Sequence, residues 1–94
     1  MSTIDMTYAK TVQVINSLGL HARAAAKIVK LASDFVSEIT LEMDGNEVNA
    51  KSILGILTLA CPMGTMITIA AQGPDARQAV EALEALFKAK FHEE

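Results

Sequence analysis

Alternating hydrophobic and polar residues predict four β-strands in this chain. The alternation is clearest over residues 37–43, where apolar side chains occupy every second position between acidic and hydroxyl side chains. Similar patterns predict strands over residues 7–15 and 65–72. The pair Asp44-Gly45 is typical of a tight hairpin turn, so a short returning strand is expected over residues 47–50.

Three further segments predict helices. Residues 22–33 carry apolar side chains three and four positions apart, which gives one apolar stripe and leaves Lys27 on the solvent side. Residues 75–90 show the same period, with an acidic residue at the start and lysines near the end, as the helix dipole prefers. The apolar run at residues 53–60 suits a strand or a buried helix, and Ser52 before it, a favoured N-cap, favours the helix.

The predicted element order, βαββαβα, indicates an α+β fold in which helices cover one face of a sheet and leave the other open. The chain has 94 residues with no linker or repeat, so we expect one domain over residues 1–94. A hydrophobic fraction of 51% and a charged fraction of 20% are typical of a globular protein. The net charge of −3 and the absence of tryptophan argue against a nucleic-acid partner.

The sequence also argues against a metal, a cofactor or a membrane segment. Cys61 is the one cysteine, so neither an internal disulfide nor a cysteine-based metal cluster can form, and His21 and His92 share no metal-ligand spacing. No apolar run approaches the length of a membrane span, and the N-terminus lacks the apolar core of a signal peptide. We therefore expect no metal, no cofactor, no membrane insertion and a cytoplasmic location.

The segment LGLHARAAAKIVK, residues 18–30, places His21 at the predicted start of the first helix. A helix N-terminus exposes unpaired N–H groups and a partial positive charge, which suit an anion such as phosphate. Arg23 can donate two parallel hydrogen bonds to a phosphoryl group. The same positive groups disfavour an imidazolium, and a neutral ring has the lone pair that a nucleophile needs. The residues alone leave two alternatives: His21 accepts a phosphoryl group, or it is simply a polar residue at a helix start.

The run LGLHARAAAKIVKLA resembles the active-site segment of the HPr family, the histidine-containing phosphocarriers of the bacterial phosphotransferase system. KSILGILTL, residues 51–59, resembles the regulatory-serine segment of the same family, and the resemblance extends from about Tyr8 to Phe87. It implies an open-faced β-sandwich, with a four-stranded antiparallel sheet and three helices on one face. It also implies a relay protein rather than an enzyme, which accepts a phosphoryl group from enzyme I and passes it to IIA-type proteins.

The resemblance assigns roles to individual residues. His21 matches the phosphorylated histidine, and Arg23 matches the arginine that steadies the phosphoryl group. Ser52 matches the serine that HPr kinase/phosphorylase modifies in many members, whereas the residues alone indicate only an N-cap. Ala24 stands where the family usually has proline, so we expect the function to be kept and the kinetics and partner choice to be open to change.

The helix after Ser52 has more apolar residues than one buried stripe requires, so we expect some of them to form an exposed patch near His21. Basic side chains around this patch would favour an acidic partner. The alternative is that these apolar residues complete the core. The predicted partner-binding residues are Leu20, Ala22, Arg23, Lys27, Lys51, Ile53, Leu54 and Leu57.

Three functions remain open at this point. A phosphocarrier is favoured, and the alternative is a regulatory HPr paralogue that acts mainly through protein binding in nitrogen or carbon signalling. Because both would keep His21 and Ser52, these residues do not separate them. A small-molecule sensor or metal-carrying module of similar layout is the third, but the missing Cys-x-x-Cys counts against metal carriage. A sensor would also dimerise through its sheet, whereas we expect a monomer.

Overall fold

The computed structural model describes residues 6–93 and contains one antiparallel sheet of four strands in the order β1-β4-β2-β3. The strands are β1 (Thr7–Gln13), β2 (Glu38–Met43), β3 (Asn46–Asn49) and β4 (Met66–Gln72). Two residues of the central strand β4 show the register: Ile67 lies opposite Val12 of β1, and Ile69 lies opposite Leu41 of β2. All four of these side chains are buried, so the alternation in the sequence places them on the face that the helices cover.

Three helices pack on that face, and a short 3-10 turn follows the last of them. They are α1 (Ala22–Ala32), α2 (Ile53–Leu59), α3 (Ala76–Lys88) and the 3-10 turn (Lys90–His92). Ile28 of α1 and Leu83 of α3 are fully buried, whereas Thr11 and Thr68 meet on the opposite face with their hydroxyl oxygens 3.3 Å apart. The predicted open-faced sandwich, with three helices on one side of a four-stranded antiparallel sheet, is confirmed.

The last helix is shorter than its apolar period predicted, because α3 ends at Lys88 rather than at residue 90. Beyond it Lys90, Phe91 and His92 have φ angles of 54°, 56° and 60°. This left-handed region costs about 1–2 kcal/mol for each non-glycine residue. Burial of Phe91 offsets part of that cost, since its ring is fully buried and packs edge-on against Phe87 with the centroids 4.9 Å apart.

The predicted solvent position of Lys27 is wrong. Its side chain is half-buried, and Nζ donates a hydrogen bond of 2.5 Å to the carbonyl oxygen of Phe91. The helical period placed Lys27 off the apolar stripe correctly, but the turn after α3 folds back over this side of α1. A contact between residues so far apart in sequence leaves no trace in a local pattern.

Two observations bear on the expected absence of membrane segments and metals. In the part of the chain that the structure describes, no helix is both long enough and apolar enough to cross a membrane. Across residues 6–93, no cluster of three or more His, Cys, Asp or Glu side chains has an arrangement that could hold a metal ion.

Candidate functional site

A tight loop presents His21 at the start of α1. Gly19 has a φ of +67°, and a Cβ atom there would lie 2.3 Å from the carbonyl oxygen of Cys61, so only glycine fits. The Leu20 amide donates to that same oxygen at 2.9 Å, and the Asn16 side-chain amide donates to the Gly19 carbonyl at 2.9 Å. These contacts fix the angle at which the chain enters the helix.

His21 is the N-cap of α1. Its backbone is extended, with φ −77° and ψ 179°, and its carbonyl oxygen accepts the first helical hydrogen bond from the Ala25 amide at 2.9 Å. The ring nitrogen Nδ1 accepts from the Arg23 amide at 3.3 Å, in the place where an N-cap serine or aspartate would use an oxygen. The imidazole therefore lies against the positive end of the helix and is 26% exposed.

The other ring nitrogen meets a carboxylate from the C-terminal end of the described chain. Nε2 of His21 lies 2.5 Å from Oε2 of Glu93, and the second carboxylate oxygen accepts from the Asn16 side-chain amide at 3.2 Å. The Glu93 side chain is only 8% exposed. A carboxylate can only accept, so the hydrogen in this contact belongs to Nε2, and Nδ1 keeps the lone pair that faces the Arg23 amide.

The first three residues of α1 differ in their exposure to solvent. Arg23 is exposed, and within residues 6–93 its guanidinium makes no hydrogen bond or ion pair. Ala22 is exposed, and Ala24 is fully buried. The helix begins at Ala22, is capped by the ring of His21, and has alanine rather than proline at position 24.

Ser52 is the N-cap of α2, as its sequence context predicted. Its Oγ accepts from the Gly55 amide at 3.0 Å, and its carbonyl accepts from the Ile56 amide at 3.1 Å. A Cβ on Gly55 would lie 3.3 Å from Oγ, so glycine allows the hydroxyl to fit closely against the first turn. The Ser52 residue is half-buried, which leaves part of it open to solvent.

The structure divides the apolar residues of α2 between core and surface. Ile56 and Leu59 are buried and Leu57 is half-buried, whereas Ile53 and Leu54 are 41% and 74% exposed. Some of the apolar residues therefore complete the core, as one alternative predicted, and others are exposed, as the second predicted. Ile53 and Leu54 form the exposed part of the helix beside Ser52.

Two of the predicted partner-binding residues, Leu20 and Lys51, are less exposed than the sequence indicated. Leu20 is 4% exposed, so its side chain lies in the core and offers a partner no surface. Lys51 is half-buried, and its Nζ donates to the Phe35 carbonyl at 2.7 Å instead of extending into solvent. Two exposed apolar residues in the loops around His21, Leu18 and Met63, were missed because neither belongs to a periodic element.

Sequence reasoning also missed Asn16 and Glu93. Asn16 is fully buried and uses its side-chain amide for Gly19 and Glu93, while its Oδ1 has no hydrogen-bond partner among the described residues. A phenylalanine near the chain end, four positions after Phe87, was the only available signal that this segment packs back on the domain. By contrast, Cys61 is a buried core residue, and burial raises the pKa of its thiol.

Comparison with known proteins identifies the family of this chain. The family model described as "PTS HPr component phosphorylation site" matches residues 8–89. The phosphocarrier protein HPr of Cupriavidus necator is 46% identical over 80 residues, which are 85% of this chain and 90% of that protein. The phosphocarrier protein NPr of Shewanella violacea is 46% identical over 84 residues, which are 89% of this chain and 92% of that protein.

The fold comparison leads to the same group. The crystal structure of HPr-C-His from Thermoanaerobacter tengcongensis matches with a TM-score of 0.89 at 44% identity, and the match covers 93% of this chain and 98% of that one. Both the sequence and the fold are thus shared over most of the chain. The chain belongs to the HPr family of phosphocarrier proteins of the phosphotransferase system.

Proposed function

We propose that this phosphocarrier holds its phosphoryl group on His21, receives it from enzyme I and passes it to IIA-type proteins. The observation that carries this proposal is the position of the ring at the N-terminus of α1, with Nδ1 against the Arg23 amide. Helix N-termini stabilise phosphate through unpaired amides and the helix dipole. The family resemblance of residues 18–32 supplies the phosphohistidine chemistry.

Nδ1 is the nucleophilic nitrogen in this proposal. Its lone pair forms the N–P bond while the bond between phosphorus and the donor's leaving atom breaks, and that electron pair departs with the donor. Once Nδ1 is bonded to phosphorus, its lone pair no longer accepts from the Arg23 amide. This amide can then donate to a phosphoryl oxygen. The amide of the exposed residue Ala22 also precedes the first helical hydrogen bond and can do the same.

The Arg23 side chain completes this arrangement. Its guanidinium has no partner within the described chain, so it can turn to the phosphoryl group without breaking an existing bond. The helix end contributes only about 0.3–1 kcal/mol at an exposed site. The site therefore tunes the stability of the phosphohistidine, and the free energy of phosphorylation comes from the donor.

Intact mass after incubation with phosphoenolpyruvate and enzyme I tests the assignment of His21. The wild type should gain one phosphoryl group that acid removes, and His21→Ala should gain none. His92→Ala is the matched control, because this exposed histidine should be dispensable. An acid-labile gain that persists in His21→Ala would contradict the proposal.

Ser52 is the proposed regulatory site, modified by HPr kinase/phosphorylase. Ser52 is half-buried and lies at the N-terminus of α2, where a phosphate can take over the cap. The modification adds a charge of about −1.5 to −2 beside Ile53 and Leu54, which would repel an acidic partner. Incubation with the kinase and ATP should give an acid-stable phosphoryl gain that Ser52→Ala loses and Ser33→Ala keeps.

The proposed docking surface consists of exposed apolar residues of α2 and of the loops next to His21: Leu18, Ile53, Leu54 and Met63. Leu54→Glu should raise the KM for this protein in the enzyme I reaction about tenfold, since it places a charge in an apolar contact. Val36→Glu is the matched control, because Val36 is 75% exposed and Leu54 is 74% exposed. Equal effects of the two variants would remove the assignment of this surface.

A regulatory role in nitrogen or carbon signalling is the second candidate function. It is favoured by the similarity to the NPr of Shewanella violacea. A panel of sugar-specific and nitrogen-related IIA proteins, each offered the phosphorylated chain, separates the two. Fast transfer to a sugar-specific IIA protein supports the first function, and transfer restricted to a nitrogen-related one supports the second.

A further inference from the structure

The residues that follow α3 reach back to the imidazole of His21. The chain turns through three successive residues with positive φ, Lys90–His92, and this turn brings Glu93 to the ring. The family match ends at residue 89, so this segment lies beyond the part of the chain that the family model matches. We name residues 90–93 the tail.

Two contacts anchor the tail before it reaches His21. The Phe91 ring is fully buried against Phe87, and the Phe91 carbonyl accepts from Nζ of Lys27 at 2.5 Å. One contact joins the tail to α3 and the other joins it to α1, the helix that His21 caps. Because Phe91 lies two residues before Glu93, these contacts restrict where Glu93 can lie.

The carboxylate of Glu93 has a separate donor for each oxygen. Oε1 accepts from the side-chain amide of Asn16 at 3.2 Å, and Oε2 lies 2.5 Å from Nε2 of His21. Asn16 is fully buried and also donates to the Gly19 carbonyl, so it ties the carboxylate to the loop that presents the histidine. The proton of the neutral ring must then reside on Nε2, because a carboxylate accepts and cannot donate.

We infer that Glu93 is a positioning residue, which holds His21 in the Nε2–H tautomer and thereby directs the phosphoryl group to Nδ1. The inference rests on the proposed function. As the N–P bond forms at Nδ1, positive charge develops on the ring, and the carboxylate at Nε2–H offsets it. The same carboxylate covers Nε2 and repels an anionic donor from that nitrogen. The tail thus contacts Nε2, whereas the helix contacts only Nδ1.

The tautomer can be measured without any phosphoryl donor. Two-bond proton–nitrogen correlation spectra of the protein with ¹⁵N-labelled histidine should show His21 as the Nε2–H form alone, at a pH where the ring is neutral. Glu93→Ala should give a mixture of the two tautomers. Glu47→Ala removes an exposed carboxylate from β3 and is the matched control for the change in net charge. An unchanged tautomer in Glu93→Ala overturns the inference, whatever the protein's function proves to be.

The rate of phosphorylation by enzyme I provides the second readout. Glu93→Ala should lower the maximal rate about tenfold and leave the KM unchanged, because Glu93 orients the ring and lies outside the proposed docking surface. A rate that rises in Glu93→Ala would mean that the tail covers the site and would overturn the inference. If the wild type accepts no phosphoryl group, the proposed function fails, while the spectra still decide the role of Glu93.

Discussion

The N-termini of α1 and α2 are capped in the same way, by a side chain that accepts a hydrogen bond from an amide of the first turn. At the first, Nδ1 of His21 accepts from the Arg23 amide at 3.3 Å, and at the second, Oγ of Ser52 accepts from the Gly55 amide at 3.0 Å. Each side chain satisfies an amide that the helix itself leaves unpaired. Each also lies where the helix dipole would stabilise a phosphoryl group.

The two ends differ on the side that faces away from the helix. His21 has the Glu93 carboxylate on its second nitrogen, whereas within residues 6–93 the Ser52 hydroxyl has the Gly55 amide as its one partner. An imidazole held as one tautomer presents a lone pair, but a serine hydroxyl needs a base to remove its proton. Under the proposed function, both helix ends suit a phosphoryl group, and the second contact distinguishes the side chain that can accept one without a base.

The largest effect should follow from a change that displaces His21 from its helix end. Gly19→Ala forces a left-handed alanine and drives its Cβ into the Cys61 carbonyl oxygen, so the free energy of unfolding should fall by about 3–4 kcal/mol. Gly45→Ala is the control: its φ is +83° but it has open space around it, and it should cost only about 1 kcal/mol. Urea unfolding of both variants measures the difference, and equal costs would mean that contact with Cys61 is unimportant.

The second largest effect should come from releasing Glu93 from the His21 ring, a contact that has no counterpart at the N-terminus of α2. Phe91→Ala empties a buried site against Phe87 and should cost about 3 kcal/mol, near the lower end for buried phenylalanine because the chain end can relax. Phosphorylation of His21 should slow as Glu93 leaves the ring, while kinase modification of Ser52 should continue unchanged. Phe91→Leu should keep most of the stability. Slower modification of Ser52 in Phe91→Ala would show that the two helix ends are not independent.

The same comparison shows how far the sequence predicts this molecule. Local patterns identified the strands, and the N-cap propensity of Ser52 correctly chose a helix for an apolar run that suited either element. They also placed His21 at a helix start. They could not reveal Glu93 or the Lys27 contact with Phe91, because these partners lie more than 60 residues apart and follow from how the elements pack. The left-handed turn at Lys90, Phe91 and His92 contains no glycine, so the sequence did not indicate its positive φ angles.

A smaller effect should come from the cap of α2. Ser52→Ala removes the acceptor for the Gly55 amide, so the free energy of unfolding should fall by about 1 kcal/mol. Ser52→Asn keeps an acceptor at this position and should lose much less. Phosphorylation of His21 should proceed at the wild-type maximal rate in both variants. A loss in Ser52→Asn as large as in Ser52→Ala would mean that packing around the hydroxyl, rather than capping, stabilises this end.

The N-terminus of α3 differs from those of α1 and α2, because the side chain of Asp75 does not cap its own helix. The Asp75 carboxylate instead accepts from the Ser37 hydroxyl at 2.5 Å and from the amides of Val36 and Ser37, both at 3.0 Å. The Ser37 hydroxyl bond and these amides hold the pKa of Asp75 below its usual range. These bonds join α3 to the segment before β2.

This lowered pKa predicts a pH dependence, which should be the smallest of the four effects because water reaches the carboxylate. The folded-state pKa lies below the unfolded-state value of about 3.9, so the stabilisation is complete above that pH. It is lost as the pH falls through the folded-state pKa. Urea unfolding across this range should show Asp75→Asn less stable than the wild type near neutrality, with the gap closing on acidification. Ser37→Ala should reproduce part of this behaviour, and a gap that widens in acid would contradict the assigned contacts.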